Sequence, residues 1–202
     1  MSLSQEELLR SQILQTAQQL YQRHGIRKVT MDDVAKAIGK TRSALYYYYK
    51  NRDELFEAVM FSLIEDVKNE TEAVMSREKG LQAKIYAFCF AKVKGFKKTK
   101  SFIAAIESGL DKEELSKYAD MMWKVHQGMM QAETDLLKQV IGQSVAMKEI
   151  RKPDAASLDT LIFVLLSSIR GIRRESAIEG YTNLWQSGVS MLTRFAMREL
   201  GL

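Results

Sequence analysis

Cysteine, proline and histidine are scarce in this chain of 202 residues, which contains one cysteine, one proline and two histidines. The single cysteine, Cys89, excludes an internal disulfide and fits a reducing compartment. His24 and His126 are far apart in sequence and offer no metal-ligand spacing, and the chain has neither a glycine-rich phosphate loop nor a nucleophile elbow. The sequence therefore predicts no catalytic residues, no metal site and no cofactor.

Long apolar runs are also missing. The longest uncharged apolar stretch, residues 160–169, is much shorter than the roughly 20 residues that a membrane-spanning helix needs. The N-terminal residues include Glu6 and Glu7 and lack the apolar core of a signal peptide. We therefore expect a cytoplasmic protein without a membrane partner. A single proline and 46% hydrophobic residues predict a folded chain of mostly continuous helices, an all-α protein.

Positive charge is concentrated at the N-terminal end of the chain. Residues 1–52 contain nine Lys or Arg and four Asp or Glu, so this segment accounts for the entire net charge of +5. The remainder is neutral. A basic segment attracts the phosphates of nucleic acids, whereas a neutral one suits protein or small-molecule partners.

Residues 30–55 have the pattern of a helix, a tight turn and a second helix. Thr30 and Asp33 have the spacing of a capping box at the start of the first helix. Gly39 can end that helix in a left-handed conformation, and Thr41 can cap the next helix two residues later. Such a short connection predicts two helices that cross steeply.

The outward face of the second helix is polar, aromatic and basic. Arg42 and Ser43 lie on it, and we expect the tyrosines at 46–48 to be exposed. The segment from Lys40 to Arg52 contains four positive side chains and no negative one. Three exposed rings without an acid among them are poorly explained as plain solvated surface, so the pattern favours a nucleic-acid surface.

These residues resemble a known family. The pattern is similar to that of the TetR family of bacterial transcriptional regulators, although members usually have Phe where Tyr49 stands and Lys where Arg52 stands. Both departures keep the ring and the charge. The likeness covers only the N-terminal region, and it rests on Leu45-Tyr46-x-Tyr48-Tyr49-x-Asn51-Arg52-x-x-Leu55, with Thr30, Ala35 and Gly39 upstream.

The resemblance implies a repressor that binds a palindromic double-stranded DNA operator as a homodimer and responds to a small molecule. Residue by residue, it assigns base-edge contacts to Arg42, Ser43 and Tyr47, and a mixed role to Tyr46. It assigns phosphate contacts to Thr30, Thr41, Tyr48, Lys50 and Arg52. The alternative is an architectural DNA- or RNA-binding module that uses the same basic face without operator specificity or ligand control.

About nine helices are predicted. The first three, beginning with residues 5–24, form a helix-turn-helix domain over residues 1–52. The fourth begins at Asn51 and leads into a helical effector-binding and dimerisation domain over residues 53–202. The remaining helices are predicted at 81–98, 102–108 and 112–141, after Pro153, and around Trp185.

The last two predicted helices carry apolar residues at heptad spacing. Each seam can serve as intramolecular core or as a surface for a second subunit, and the sequence leaves both alternatives open. Because the eighth helix is apolar on more than one face, we predict a homodimer through these helices. The predicted interface residues are Leu158, Ile162, Leu165, Ile169, Trp185, Val189 and Leu192.

Large adaptable side chains are frequent in the C-terminal domain, where we expect the fourth through eighth predicted helices to line a cavity. Methionine and aromatic residues at helical spacing are more often plain core, but the resemblance implies a ligand cavity. Few charges fall in the set, so we expect an apolar or aromatic effector of unknown identity, with His126 as its polar anchor. The predicted lining residues are Phe88, Phe96, Phe102, Met122, Trp123, His126, Met129 and Phe163.

Overall fold

The computed structural model describes residues 4–95, 102, 106 and 112–202, and within this part of the chain every regular element is a helix. The prediction of an all-α fold is confirmed. The predicted helix at 102–108 lies outside the described residues except for Phe102 and Ile106, as does the predicted ligand residue Phe96. The described residues form eight helices, which are α1 (Gln5–His24), α2 (Met31–Ala37), α3 (Arg42–Tyr48), α4 (Arg52–Ser76), α5 (Leu81–Lys94), α6 (Lys112–Ala146), α7 (Ala155–Glu175) and α8 (Trp185–Glu199).

Side-chain caps define where several helices begin. Ser4 and Glu7 form a capping box before α1, with the Glu7 N–H 3.2 Å from Ser4 Oγ and the Ser4 N–H 2.7 Å from the Glu7 carboxylate. Asp154 caps α7 by accepting the Ser157 N–H at 2.9 Å. Hydrogen bonds from Ser157 lower the pKa of Asp154, so the carboxylate is charged at neutral pH. This negative charge interacts favourably with the positive end of the helix dipole.

The chain divides into two compact units. The first comprises residues 1–65 and 97–128, and the second comprises residues 66–96 and 129–202. Helices α4 and α6 each contribute residues to both units. The predicted domain boundary at residue 52 stays a prediction.

The core of the first unit joins α1, α4 and α6 through aromatic rings. Tyr21 packs edge-on against Phe56 with 5.5 Å between ring centroids, and Phe56 packs against Tyr118 at 5.3 Å. Tyr118 also donates a hydrogen bond of 3.0 Å to Asp53, in the first turn of α4. Burial of the Tyr21 ring raises the pKa of its hydroxyl. These contacts anchor the start of α4 against α1, next to the helix-turn-helix.

The core of the second unit is formed by α5, α7, α8 and the second half of α6. Cys89 is fully buried there, and burial raises the pKa of its thiol to about 12, so it is an inert core thiol. The buried carboxylate of Glu133 binds Lys92 at 2.5 Å and Arg170 at 2.9 Å. One acid on α6 thus ties together α5 and α7.

The predicted seams on α7 and α8 lie mostly inside this unit. Ile162, Leu165, Ile169 and Val189 are buried in its core, which is the intramolecular alternative for these four, and their place in a dimer interface stays a prediction. Leu158, Trp185 and Leu192 are half-buried. Helix packing explains the outcome, because each helix turns its most continuous apolar stripe toward its neighbours in the same chain.

A second apolar face on α7 and α8 points away from the core. It is formed by Phe163 and Val164 on α7 and by Met191 and Phe195 on α8, all of them about half exposed or more. A groove of about 570 Å³ between the two helices includes Val164 and Phe195 in its lining. We call these four side chains the α7–α8 apolar face.

Helix α7 is also long and apolar enough, by length and composition, to cross a membrane, and only 22% of its most apolar window is buried within the structure. A helix that packs in the core or at an interface of a soluble protein meets the same criterion. The buried side of α7 belongs to the core of the second unit, and the other side of α7 contributes to the α7–α8 apolar face.

Candidate nucleic-acid interface

The connection between α2 and α3 is fixed by its own backbone and caps. Thr30 Oγ1 accepts the Asp33 N–H at 3.2 Å, and the Thr30 N–H donates back to the Asp33 carboxylate at 2.9 Å. At the other end of α2, the Lys40 N–H binds the Ala35 carbonyl and the Gly39 N–H binds the Lys36 carbonyl, which is a Schellman motif. This motif requires left-handed backbone at Gly39, whose φ is +68°. The predicted capping box and glycine stop are confirmed.

Helix α3 begins immediately after this turn. Thr41 caps it by accepting the Ala44 N–H at 3.3 Å. Leu45 and Tyr49 are buried and attach the inner side of the helix to the core of the first unit. The outer side is therefore held at a fixed angle by packing and by the short turn.

The exposed side of α3 and its flanks carries most of the predicted DNA-contacting residues. Tyr47 is 78% exposed, and its ring packs edge-on against Tyr48 at 5.1 Å. The expectation that three tyrosines are exposed is wrong for Tyr46 and Tyr48, which are half-buried against the core. These rings support the surface as well as forming part of it. Thr30, Thr41, Arg42, Ser43 and Lys50 are exposed.

Arg42 is held in place by two neighbours. Its Nη2 donates a hydrogen bond of 3.2 Å to the Tyr46 hydroxyl, and its guanidinium carbon lies 5.2 Å from the centre of the Tyr46 ring. Its Nε lies 3.4 Å from Asp32 Oδ1. The Tyr46 hydrogen bond and the Asp32 charge raise the pKa of Arg42, which stays fully charged. The predicted base-contacting arginine is thus paired with an acid before any nucleic acid is bound.

The end of α3 leads directly into the first turn of α4. Asn51 Oδ1 accepts the Glu54 N–H at 2.8 Å, so Asn51 caps the fourth helix, which the sequence predicts to begin at this residue. The Glu54 carboxylate accepts the Lys50 N–H at 2.7 Å. Arg52 Nη1 reaches the Arg27 carbonyl at 3.4 Å, which fixes the stem of this predicted phosphate contact against the turn before α2.

Sequence comparison identifies this helix-turn-helix. Residues 13–59, from the middle of α1 into α4, match the family described as "Bacterial regulatory proteins, tetR family". The helix-turn-helix of this chain belongs to the TetR family. Its resemblance to that family, seen in the residues around Tyr46 and Asn51, is confirmed.

Individual relatives of this chain are HTH-type transcriptional regulators. The HTH-type transcriptional regulator TtgR of Pseudomonas putida is 36% identical over 56 residues, which are 28% of this chain and 27% of TtgR. The chain thus matches about a quarter of the length of this relative. The HTH-type transcriptional regulator SrpR of Pseudomonas putida is 26% identical over 175 residues, covering 85% of this chain and 76% of SrpR.

A solved structure extends the likeness in fold to the second unit. The transcriptional regulator from Cytophaga hutchinsonii superimposes with a TM-score of 0.63 over 98% of this chain and 100% of that chain, at 17% identity. At this level of identity the comparison concerns the fold alone. The likeness in fold therefore covers both units.

The predicted ligand residues are distributed over both units. Phe88 is buried in the second unit, where Met129 Sδ also lies 4.0 Å from Lys92 Nζ. In the first unit Phe102 is buried, Met122 is half-buried, and the exposed Trp123 ring stacks on His126 at 5.7 Å. Phe163 belongs to the α7–α8 apolar face. The ligand site stays a prediction.

The contact between Asp32 and Arg42 is not predicted by the sequence pattern. No negative side chain occurs between Lys40 and Arg52, and the outer face of α3 was therefore expected to be free of acids. The short turn brings the first turn of α2 beside the first turn of α3, so Asp32 reaches Arg42. The only signal in the sequence was the length of the turn itself.

Proposed function

We propose that this TetR-family chain is a DNA-binding transcriptional repressor that works in the cytoplasm as a homodimer on a palindromic operator and responds to a small apolar or aromatic ligand. The observation that carries the proposal is the exposed outer side of α3, where Arg42, Ser43 and Tyr47 stand on a helix fixed from behind by Leu45 and Tyr49. A rigid helix with polar side chains at its N-terminal end fits the major groove of DNA.

The chemistry of this surface divides into two kinds of contact. An arginine can bind O6 and N7 of guanine through two parallel hydrogen bonds, so Arg42 is suited to sequence recognition, together with Ser43 and Tyr47. Hydroxyls and cations at helix ends suit the phosphates, which set the orientation of the protein without carrying sequence information. Thr30, Thr41, Tyr48, Lys50 and Arg52 have this character, and Tyr46 borders both groups.

Dimerisation is supported by the α7–α8 apolar face. A single helix-turn-helix contacts few base pairs, whereas a twofold dimer places two of them on the halves of a palindrome. Phe163, Val164, Met191 and Phe195 are each about half exposed or more, and large apolar side chains exposed on two neighbouring helices favour an interaction site. A second copy of the chain would cover it.

Ligand response is supported by the resemblance to the family and by the half-buried methionines Met122 and Met129, whose flexible side chains adapt to irregular guests. Helix α4 carries residues of both units and begins beside the helix-turn-helix. A ligand that prefers one orientation of α4 would change the equilibrium between operator-binding and non-binding states. That coupling must be reciprocal, because DNA then weakens ligand binding by the same factor.

The experiment compares variants on an operator-like duplex that the protein has selected from random DNA. Arg42→Ala and Tyr47→Ala are each expected to cost about 1–3 kcal/mol of discrimination between this duplex and random DNA. Arg52→Ala is expected to weaken both duplexes alike and to lower the salt slope by about one unit. Arg151→Ala, which removes an exposed cation from the second unit, is the matched control. Fluorescence anisotropy across a salt series measures all four variants.

The same data separate the proposal from its rival. If wild-type protein binds the selected duplex and random DNA equally at moderate salt, the protein is an architectural module and not an operator-specific repressor. If Arg42→Ala keeps the full sequence preference of wild type, the assignment of base contacts to α3 is wrong.

A further inference from the structure

The pairing of Asp32 with Arg42 joins the two helices of the helix-turn-helix on their solvent-facing side. Asp32 is the second residue of α2, and its Oδ1 lies 3.4 Å from Arg42 Nε, the first residue of α3. This oxygen is shielded from solvent and accepts no hydrogen bond from the residues that the structure describes. Arg42 is therefore the cation paired with this oxygen, while 44% of the Asp32 side chain remains exposed to solvent.

The contacts of Arg42 occupy one edge of its guanidinium group. Nε faces Asp32 and Nη2 donates to Tyr46, so these contacts use the edge formed by Nε and Nη2 and leave out the opposite edge, formed by Nη1 and the second Nη2 hydrogen. Bidentate recognition of guanine needs two adjacent N–H groups directed at the base. Arg42 can satisfy this need only by turning its free end toward the base or by exchanging a protein partner for it. Both routes are sensitive to the restraint that Asp32 imposes.

Asp32 also changes how Arg42 interacts with charge. A phosphate attracts an arginine through its net charge, and an adjacent carboxylate cancels much of that charge while repelling the phosphate directly. A guanine edge offers two neutral acceptors, and the strength of the hydrogen bonds to them depends on the direction of the donor. An acid beside the arginine therefore weakens attraction to any DNA backbone more than it weakens a correctly aligned base contact.

We propose that Asp32 is a specificity-determining residue that restrains Arg42 and suppresses its use as a general phosphate contact. The inference rests on the proposed function, because it concerns the discrimination of an operator from other DNA. Asp32 itself touches no base in this account. It acts through the position and the effective charge of Arg42.

The test measures binding of the full-length protein to random duplex and to the selected duplex across a salt series. In Asp32→Asn, affinity for random duplex at 0.1 M salt should rise about threefold to tenfold, and the salt slope should steepen by about one unit. Affinity for the selected duplex should change less, so the specificity ratio falls at least threefold. Asp32→Glu keeps the charge and should keep the ratio within twofold of wild type.

Two controls isolate the Arg42 contact. Glu6 is the exposed second residue of α1 and thus matches Asp32 in charge and helix position, so Glu6→Gln reports the general effect of removing one acid from this unit. In the Arg42→Ala background, Asp32→Asn should lose its effect on the specificity ratio. Should Asp32→Asn reduce helicity in circular dichroism, Asp32→Ser replaces it in every measurement.

The outcomes distinguish this inference from the proposed function. If Asp32→Asn and Glu6→Gln alter random-duplex affinity, salt slope and ratio equally, the role of Asp32 is overturned while operator binding stands. If wild type shows no sequence preference, the proposed function fails. The random-duplex salt slope then still decides whether Asp32 restrains Arg42, because only a larger change in Asp32→Asn than in Glu6→Gln supports it.

Discussion

Glu133 offers a direct test of how the second unit is held together. Its side chain is only 8% exposed and faces two cations, Lys92 at 12% exposure and Arg170 at 33%. Removing one partner of a buried ion pair leaves the other charge unpaired in the protein interior, where water cannot solvate it. The unpaired charge of Lys92 would be the more destabilising of the two, because Arg170 is partly exposed to water.

The expected cost follows from this geometry. Breaking a buried ion pair destabilises a protein by about 3–5 kcal/mol, and the partial exposure of Arg170 places Glu133→Gln near the lower end. The double variant Lys92→Met/Glu133→Leu removes both buried charges and should recover most of the loss, because apolar replacement of a buried pair is often neutral. Asp159→Asn is the control, since Asp159 and Lys138 form an exposed pair that is worth less than about 1 kcal/mol.

Urea unfolding measures the effect. Trp185 lies in the second unit, and its fluorescence can be followed alone in a Trp123→Phe background. With a slope of roughly 2–3 kcal/mol/M, Glu133→Gln should lower the midpoint by about 1 M without changing the slope. A shift no larger than that of Asp159→Asn would refute the reasoning that this carboxylate ties three helices together.

Three further predictions concern other parts of the chain. Phe195→Glu places a charge on the α7–α8 apolar face and should convert a dimer into a helical monomer in sedimentation velocity; a wild-type monomer at micromolar concentration would contradict the proposed interface. Gly39→Ala should cost about 1–2 kcal/mol in thermal unfolding, because its φ is +68°, whereas Gly142→Ala, with open space in α6, should stabilise by about 0.5–1 kcal/mol. Hydrogen bonds lower the pKa of Asp154, so its stabilising charge is present above about pH 4 and is lost as the pH falls through the folded pKa. The free energy of unfolding of Asp154→Asn should therefore fall less than that of wild type between about pH 5 and 2. An equal fall in both proteins would argue against the charged cap.

The sequence predicts the helix-turn-helix well because its determinants are local. The Thr30–Asp33 box, the glycine stop at Gly39 and the Asn51 cap each depend on residues within a few positions of one another, and all three are present in the structure. The bounds of α1, Gln5–His24, follow from the same kind of signal. Backbone groups at helix ends need partners, and the sequence states where those partners are.

Predictions that depend on which helices meet are less secure. The periodicity of α7 and α8 identifies apolar stripes, but only the position of α5 and α6 decides that Ile162 and Val189 face inward and that Phe163 faces outward. In the same way, nothing along α3 indicates that Asp32 of α2 reaches Arg42. Contacts between segments distant in sequence arise from packing, and periodicity alone does not specify the neighbour.

Selection of bound sequences from a random duplex library is the most direct test of operator-specific DNA binding. The account predicts strong enrichment of one palindrome with two half-sites, centred about one helical turn of DNA or a multiple of it apart, and bound by an even number of chains. Loss of that enrichment in Arg42→Ala is expected. A library that emerges unenriched from wild-type protein, or enriched only in single-stranded or structured RNA in a parallel selection, would contradict the account.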